Sequence, residues 1–193
     1  MRYVLLSLLL LFSCKPTEQY ESINVAEAEA QPQKLSIIAV GDSSACAISA
    51  VSDGIVKKRD DVASYHTVCK VGSRVEYWSG RRFENALFTR PDATNVFIFL
   101  GGNNAGDSSG PDVSKILETV TKHGLRCTWV GSPKLYGKRW PVNERLKVSV
   151  VPTCDYFDSE DVDLELVDGL HPDRESAVRW LTLIMDSVSK VKK

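Results

Sequence analysis

LSIIAVGDSSACA, residues 35–47, decides the fold. Leu35 to Val40 is an apolar run closed by Gly41, the composition of a strand buried on both faces. Small residues follow at Ser44, Ala45, Ala47 and Ala50, in a pattern compatible with a helix. Gly41, Asp42 and Ser43 stand between the two. A hydroxyl at the C-terminal end of a buried strand, on a tight turn opening a helix, is held where a ligand can reach it. The free N–H groups of the first helical turn aim at the same place and favour negative charge. That is a setting for a serine nucleophile whose reaction develops an oxyanion. The plainer reading of these residues is a helix N-cap, because Asp and Ser lead that preference. The turn alone does not choose between the two.

Beyond this turn, strand and helix patterns alternate. The first helix extends to about Lys58, and Val62 to Lys70 follows as a second strand with Val68 and Cys69 inward, ending at Val71-Gly72-Ser73. A glycine after a strand lets backbone approach a ligand closely. Arg74 to Ala86 is expected as a helix carrying Tyr77 and Trp78, and Asn95 to Leu100 (NVFIFL) as a buried strand running into Gly101-Gly102-Asn103-Asn104. Asp112 to His123 has helical spacing and stops at Gly124. Leu125 to Val130 is a fourth strand, closed by Gly131-Ser132-Pro133. A loop and short helix from Tyr136 to about Lys147 and a fifth strand near Val148 to Pro152 come next. The acidic segment Asp158 to Val167 delivers Asp168-Gly169-Leu170-His171-Pro172. A last helix, about Asp173 to Val188, sets Ala177, Trp180, Leu181 and Ile184 on one face. Such alternation predicts an α/β fold, a parallel sheet covered by helices on both sides. Ligands bind such sheets beyond the carboxyl ends of the strands, where the polar and glycine-rich segments lie.

The chain has 193 residues, enough for one domain with a proper core. Its net charge of -1 gives no electrostatic reason to expect nucleic acid as a partner. Arg2 and the apolar run Val4 to Phe12 form a basic start and a short apolar core, which read as an export signal too short to span a membrane. Leu11-Phe12-Ser13-Cys14 resembles the lipobox of bacterial lipoprotein signals. That resemblance makes residues 1–13 a signal peptide and Cys14 the lipidated first residue of the mature protein. Phe12 is bulkier than the residue usual at its place, leaving ordinary cleavage or an uncut anchor as alternatives. Residues 14–34 then form a lipidated cysteine and polar tether, and 35–193 the folded domain. The expected location is the bacterial cell envelope, with the protein held on a membrane by its lipid.

Export changes how the other cysteines read. Cys46, Cys69, Cys127 and Cys154 are an even set in a compartment that permits disulfides. Four cysteines allow three pairings, and in a parallel sheet Cys46–Cys69 and Cys127–Cys154 would join neighbouring elements. Four reduced, buried thiols are the alternative. No CxxC pair occurs, so no zinc or other metal site is expected. Gly101 to Gly106 lacks the lysine-serine ending of a P-loop and the spacing of a dinucleotide fingerprint, and no cofactor is expected.

Asp168 and His171 are three residues apart in a tight loop. There a carboxylate can accept the imidazole N–H and leave the other ring nitrogen to take a proton. A surface loop with a capping aspartate is the bland alternative. Asn103 follows a buried strand and two glycines, where its amide can donate to an oxyanion or simply serve a turn. His66 and His123 read as structural. Tyr77, Trp78, Tyr136 and Trp140 read as core or cover rather than cleft, and Lys138 and Arg139 as a solvated patch.

In this order and at these strand ends, four blocks together resemble the SGNH (GDSL-like) hydrolase family. They are Gly41-Asp42-Ser43, Gly72, Gly101-Gly102-Asn103 and Asp168-Gly169-Leu170-His171. The resemblance covers most of the chain from Leu35 onward. It implies a flavodoxin-like three-layer α/β/α sandwich with a five-stranded parallel sheet. It further implies Ser43 as nucleophile, His171 as general base and acid, and Asp168 as the residue orienting it. The N–H groups of Ser43 and Gly72 and the Asn103 amide would form the oxyanion hole. One departure is Asn104, where the family commonly has aspartate. The activity implied is that of a serine esterase working through an acyl-enzyme, on a small ester or an acylated carbohydrate of the envelope. An O-acyltransferase with the same triad and a catalytically silent carbohydrate-binding lipoprotein are the alternatives.

Overall fold

In the computed structural model, residues 34–190 are described; Cys14, the export signal and nearly all of the tether lie outside them. Five strands, β1 (Leu35–Gly41), β2 (Val62–Cys69), β3 (Asn95–Phe99), β4 (Arg126–Val130) and β5 (Asp155–Phe157), form one parallel sheet. Their order is β2-β1-β3-β4-β5, that of a flavodoxin-like doubly wound sheet. β1 is buried along its whole length and pairs on both edges, Gly41 standing opposite Cys69 of β2 and Phe99 of β3. The winding reverses at β1 and β3, so their carboxyl ends flank the crevice where such folds take ligands.

Alternate residues of the strands feed two separate cores, because successive side chains point to opposite faces. On one face, α1 (Ser43–Val56) and α6 (Arg174–Lys190) cover Ile37, Ala39, Phe97 and Phe99. Ala177, Trp180, Leu181 and Ile184 of α6 are all buried there, and the Trp180 ring meets Phe99 edge-on at 5.7 Å. On the other face, Ile38, Val40, Val96, Ile98 and Trp129 pack under α2 (Val75–Trp78), α3 (Arg81–Phe88), α4 (Ser114–Lys122) and α5 (Pro141–Val150). The result is a three-layer α/β/α sandwich.

Two expectations from sequence need correction. The run Val148 to Pro152 is not the fifth strand. Pro141 occupies the start of α5, and Val142, Leu146 and Val150 recur at fourfold spacing and are buried, while Val148 and Val151 are exposed. Helical periodicity prevails over the β-branched composition of the run. β5 begins only after Cys154. Nor is Arg74 to Ala86 one helix: Gly80, with a left-handed φ of 77°, separates α2 from α3.

Two disulfides join neighbouring elements at opposite ends of the sheet. Cys46 in α1 is bonded to Cys69 at the end of β2, and Cys127 at the start of β4 to Cys154 just before β5. Their sequence separations are 23 and 27 residues, for which loop closure in the unfolded chain stabilises the fold by about 3 kcal/mol each. Replacing either pair by alanines is expected to lower unfolding free energy by roughly that amount. Urea denaturation of the two double variants against the oxidised protein is the check.

Candidate active site

The turn after β1 is built around an absent side chain. A Cβ on Gly41 would sit 2.3 Å from the Phe99 carbonyl oxygen, so no other residue lets β1 close on β3 here. Asp42 N–H donates to that carbonyl at 3.0 Å and turns the chain into α1. The N-cap is Asp42 itself, whose Oδ1 accepts from Ser44 N–H at 2.8 Å. That resolves the ambiguity of the GDS turn: capping is performed by the aspartate, and Ser43 occupies the first helical position. Among the described residues its hydroxyl has no hydrogen-bond partner, His171 included, and its backbone N–H likewise donates to none.

Asp42 is 3% exposed. Burial pushes its carboxyl up to about 6, against the lowering effect of hydrogen bonds from Ser44 and Asn103 and of the His171 imidazole. The second oxygen, Oδ2, accepts from Asn103 Nδ2 at 3.1 Å. The other amide hydrogen of Asn103 goes to Ser73 O at 3.0 Å. Asn103, exposed on a short 3₁₀ turn after β3 (Gly102–Asn104), therefore links the GDS turn to the turn after β2. In that second turn Gly72 has a left-handed φ of 70°, and its N–H is without a partner among the described residues. Three of the four blocks thus converge at the carboxyl ends of β1, β2 and β3.

The fourth block comes from the loop before α6. Asp168 Oδ2 lies 2.7 Å from His171 Nδ1, and Oδ1 accepts the backbone N–H groups of Leu170 and His171 at 2.9 and 2.8 Å. The imidazole first, then those two N–H groups, hold the carboxyl well below the usual carboxylate range. An ionised carboxylate only accepts, so Nδ1 carries the proton and Nε2 presents its lone pair. A protonated imidazole would favour the charged form of Asp42.

Several residues that hold these turns give little sign of it in sequence. Asn104, fully buried, accepts from Val75 N–H through Oδ1, and its Nδ2 donates to Glu76 and Asp107. An aspartate there would set a third carboxylate against two others, so an amide suits these surroundings. Just after β4, Ser132 donates its N–H to Asn143 of α5 and accepts from its amide. Glu160, 3% exposed, receives Asn143 Nδ2, the Trp140 N–H and Arg139. Arg139 is thus ion-paired rather than merely solvated. The acidic context of Glu160 hides a buried anchor among surface charges. His66 lies half-buried in β2, His123 caps the C-terminus of α4, and Trp78 is core. Among the described residues no cluster suited to a metal ion occurs.

No protein-family model matches the sequence, and no curated protein matches it. Among solved structures the fold is similar to that of TesA, at 17% identity and a TM-score of 0.62, covering 79% of this chain and 97% of that one. A protein from Lactobacillus plantarum shares it at 13% identity and a TM-score of 0.54, over 80% and 98% of the two chains. The lipase Lip_vut3 from a goat rumen metagenome does so at 12% identity and a TM-score of 0.51, over 78% and 97%. At these identities the likeness is one of fold.

The buried carboxyl of Asp42 makes a testable contribution to stability. A group whose pKa is raised on folding stabilises the fold below its unfolded pKa and loses that contribution as pH climbs through the folded value. For Asp42 the window runs from its ordinary value of 3.8 to about 6, corresponding to about 3 kcal/mol. Compared with Asp42→Asn, the wild-type protein should gain stability by up to about that amount on acidification from about pH 7.5 to about pH 4. Denaturant unfolding of both proteins at the two pH values reads it directly; a difference that does not change with pH refutes it.

Proposed function

We propose that the protein is a serine ester hydrolase in which Ser43, His171 and Asp168 act as a triad. The observation that carries this reading is the Asp168–His171 pair, which fixes the proton on Nδ1 and leaves the lone pair on Nε2. The unpartnered Ser43 hydroxyl supports it. Hydrogen bonds between nucleophile and base are often long until substrate is bound, so the missing Ser43–His171 bond does not count against the pair.

In the mechanism, His171 Nε2 takes the proton from Ser43 Oγ as the oxygen attacks the ester carbonyl. The carbonyl oxygen becomes an oxyanion facing the free N–H groups of Ser43 and Gly72. Asn103 joins them by giving up one of its two amide hydrogen bonds, the one to Ser73 O being the neutral and weaker. Collapse breaks the bond to the alcohol, which leaves with the proton from His171. Water, deprotonated by the same nitrogen, then releases the acyl group and regenerates Ser43.

The lipase among the structural neighbours supports acyl-ester chemistry on this fold. Lipid attachment at Cys14 would hold the enzyme against the cell envelope, and an O-acetyl ester on envelope carbohydrate is the substrate we assign on that basis. An acyltransferase would use the same triad, with a sugar hydroxyl in place of water.

A serine-directed phosphonate should add its mass at Ser43 in the wild-type protein and not in Ser43→Ala or His171→Ala. A folded wild-type protein that resists labelling would turn the reading toward a silent binding protein. Acetate release from an acetylated polymer, with and without an added acceptor, separates hydrolysis from transfer. Asn103→Ala should lower kcat by about 10²–10³; circular dichroism confirms that the fold persists, and wild-type turnover would remove Asn103 from the oxyanion hole.

A further inference from the structure

Among the described residues, Tyr136 is alone in having a left-handed backbone without being glycine, at φ 52°. Gly137 follows at φ 71°, and Lys138 N–H closes the turn on Leu135 O at 3.0 Å. Two successive left-handed residues inside such a turn make it type I′. Asn and Gly form that turn readily, while a bulky aromatic residue is disfavoured there. Burial does not explain the choice, because Tyr136 is 60% exposed. A backbone outlier of this kind persists where its surroundings fix it, and such outliers cluster at functional sites.

What Tyr136 touches is the loop between Asp168 and His171. Its N–H donates to Gly169 O at 2.6 Å. Its ring lies so close that a Cβ on Gly169 would fall 2.6 Å from Cδ1. Gly169 is itself left-handed, at φ 78°. Asp168 and His171 are substantially exposed, with side chains 53% and 38% accessible, so burial alone does little to hold them. The turn that presses on the loop is itself well anchored. Leu135 is buried and its carbonyl accepts Trp140 Nε1 at 3.2 Å, while the Glu160 carboxylate holds Arg139 and the Trp140 N–H.

We propose that Tyr136 is a positioning residue for the Asp168–His171 pair. Its ring and N–H clamp Gly169 and so fix the height and direction of the imidazole. The catalytic consequence rests on the esterase reading; the ordering of the loop does not. The disfavoured turn is kept because the side chain that strains it is the one that reaches Gly169.

Tyr136→Asn tests this, since asparagine suits the left-handed turn and keeps the N–H but lacks the ring's reach; Tyr136→Gly is a second ring-less variant. Both should melt no lower than the wild-type protein. Their amides at Gly169, Leu170 and His171 should exchange at least about tenfold faster. Their kcat should fall by about 10- to 100-fold with KM changed less than about twofold. Tyr136→Phe should match the wild type throughout, because the hydroxyl makes no hydrogen bond among the described residues. Unchanged exchange in the ring-less variants overturns the proposal, and so does undiminished kcat despite a loosened loop. Faster exchange in a protein whose wild type cleaves no ester upholds the clamp and overturns the esterase reading instead.

Discussion

A strand buried on both faces and paired on both edges can present reactive groups only at its ends, and β1 is such a strand. Its carboxyl end must open into the crevice it shares with β3, because the winding of the sheet reverses there. Gly41 permits the tight approach to Phe99 at that end, and the chain leaves as a helix whose free N–H groups face the same opening. Every other part of the candidate site is placed relative to this exit. Asn103 joins the turns after β1, β2 and β3, and the loop before α6 carries the Asp168–His171 pair.

The site also shows how two explanations of one motif can both hold. Asp42 is an N-cap, and that is why Ser43 is free to be something else. A capping serine would have spent its oxygen on the helix. Here the aspartate bears that task at a cost, since its burial works against the charge that makes it a good acceptor. The hydrogen bonds from Ser44 and Asn103 compensate in part, so the turn after β1 and the Asn103 turn hold each other in place.

What could be read in the sequence follows from the range of the interactions. β1 and β3 were evident because parallel strands covered on both faces need unbroken apolar runs. The Asp168–His171 contact is within reach of sequence reasoning because it spans three residues, although a capping aspartate fits the same spacing. The face of α6 was evident because Trp180 and its neighbours repeat at helical spacing. Val148 to Pro152 misled because local composition and helical period disagree there, and the packing of Val142, Leu146 and Val150 decided. The double engagement of the Asn103 amide, the buried Glu160 anchor and the ring of Tyr136 against Gly169 left no local trace, since each joins segments far apart in the chain.

The two disulfides sit at opposite poles of the sheet, and the difference matters to anyone handling the protein. Cys46 follows Ser43 by three residues, and Cys69 precedes Gly72 by three, so this bridge staples together the two turns that offer free N–H groups. Cys127–Cys154 lies at the far pole, near the starts of β4 and β5. Material produced in a reducing cytoplasm, or kept in buffers containing dithiothreitol, loses both staples, but only one of them borders the candidate site. A purified sample can therefore remain folded and still lose the arrangement of those two turns, depending on which thiols were left open.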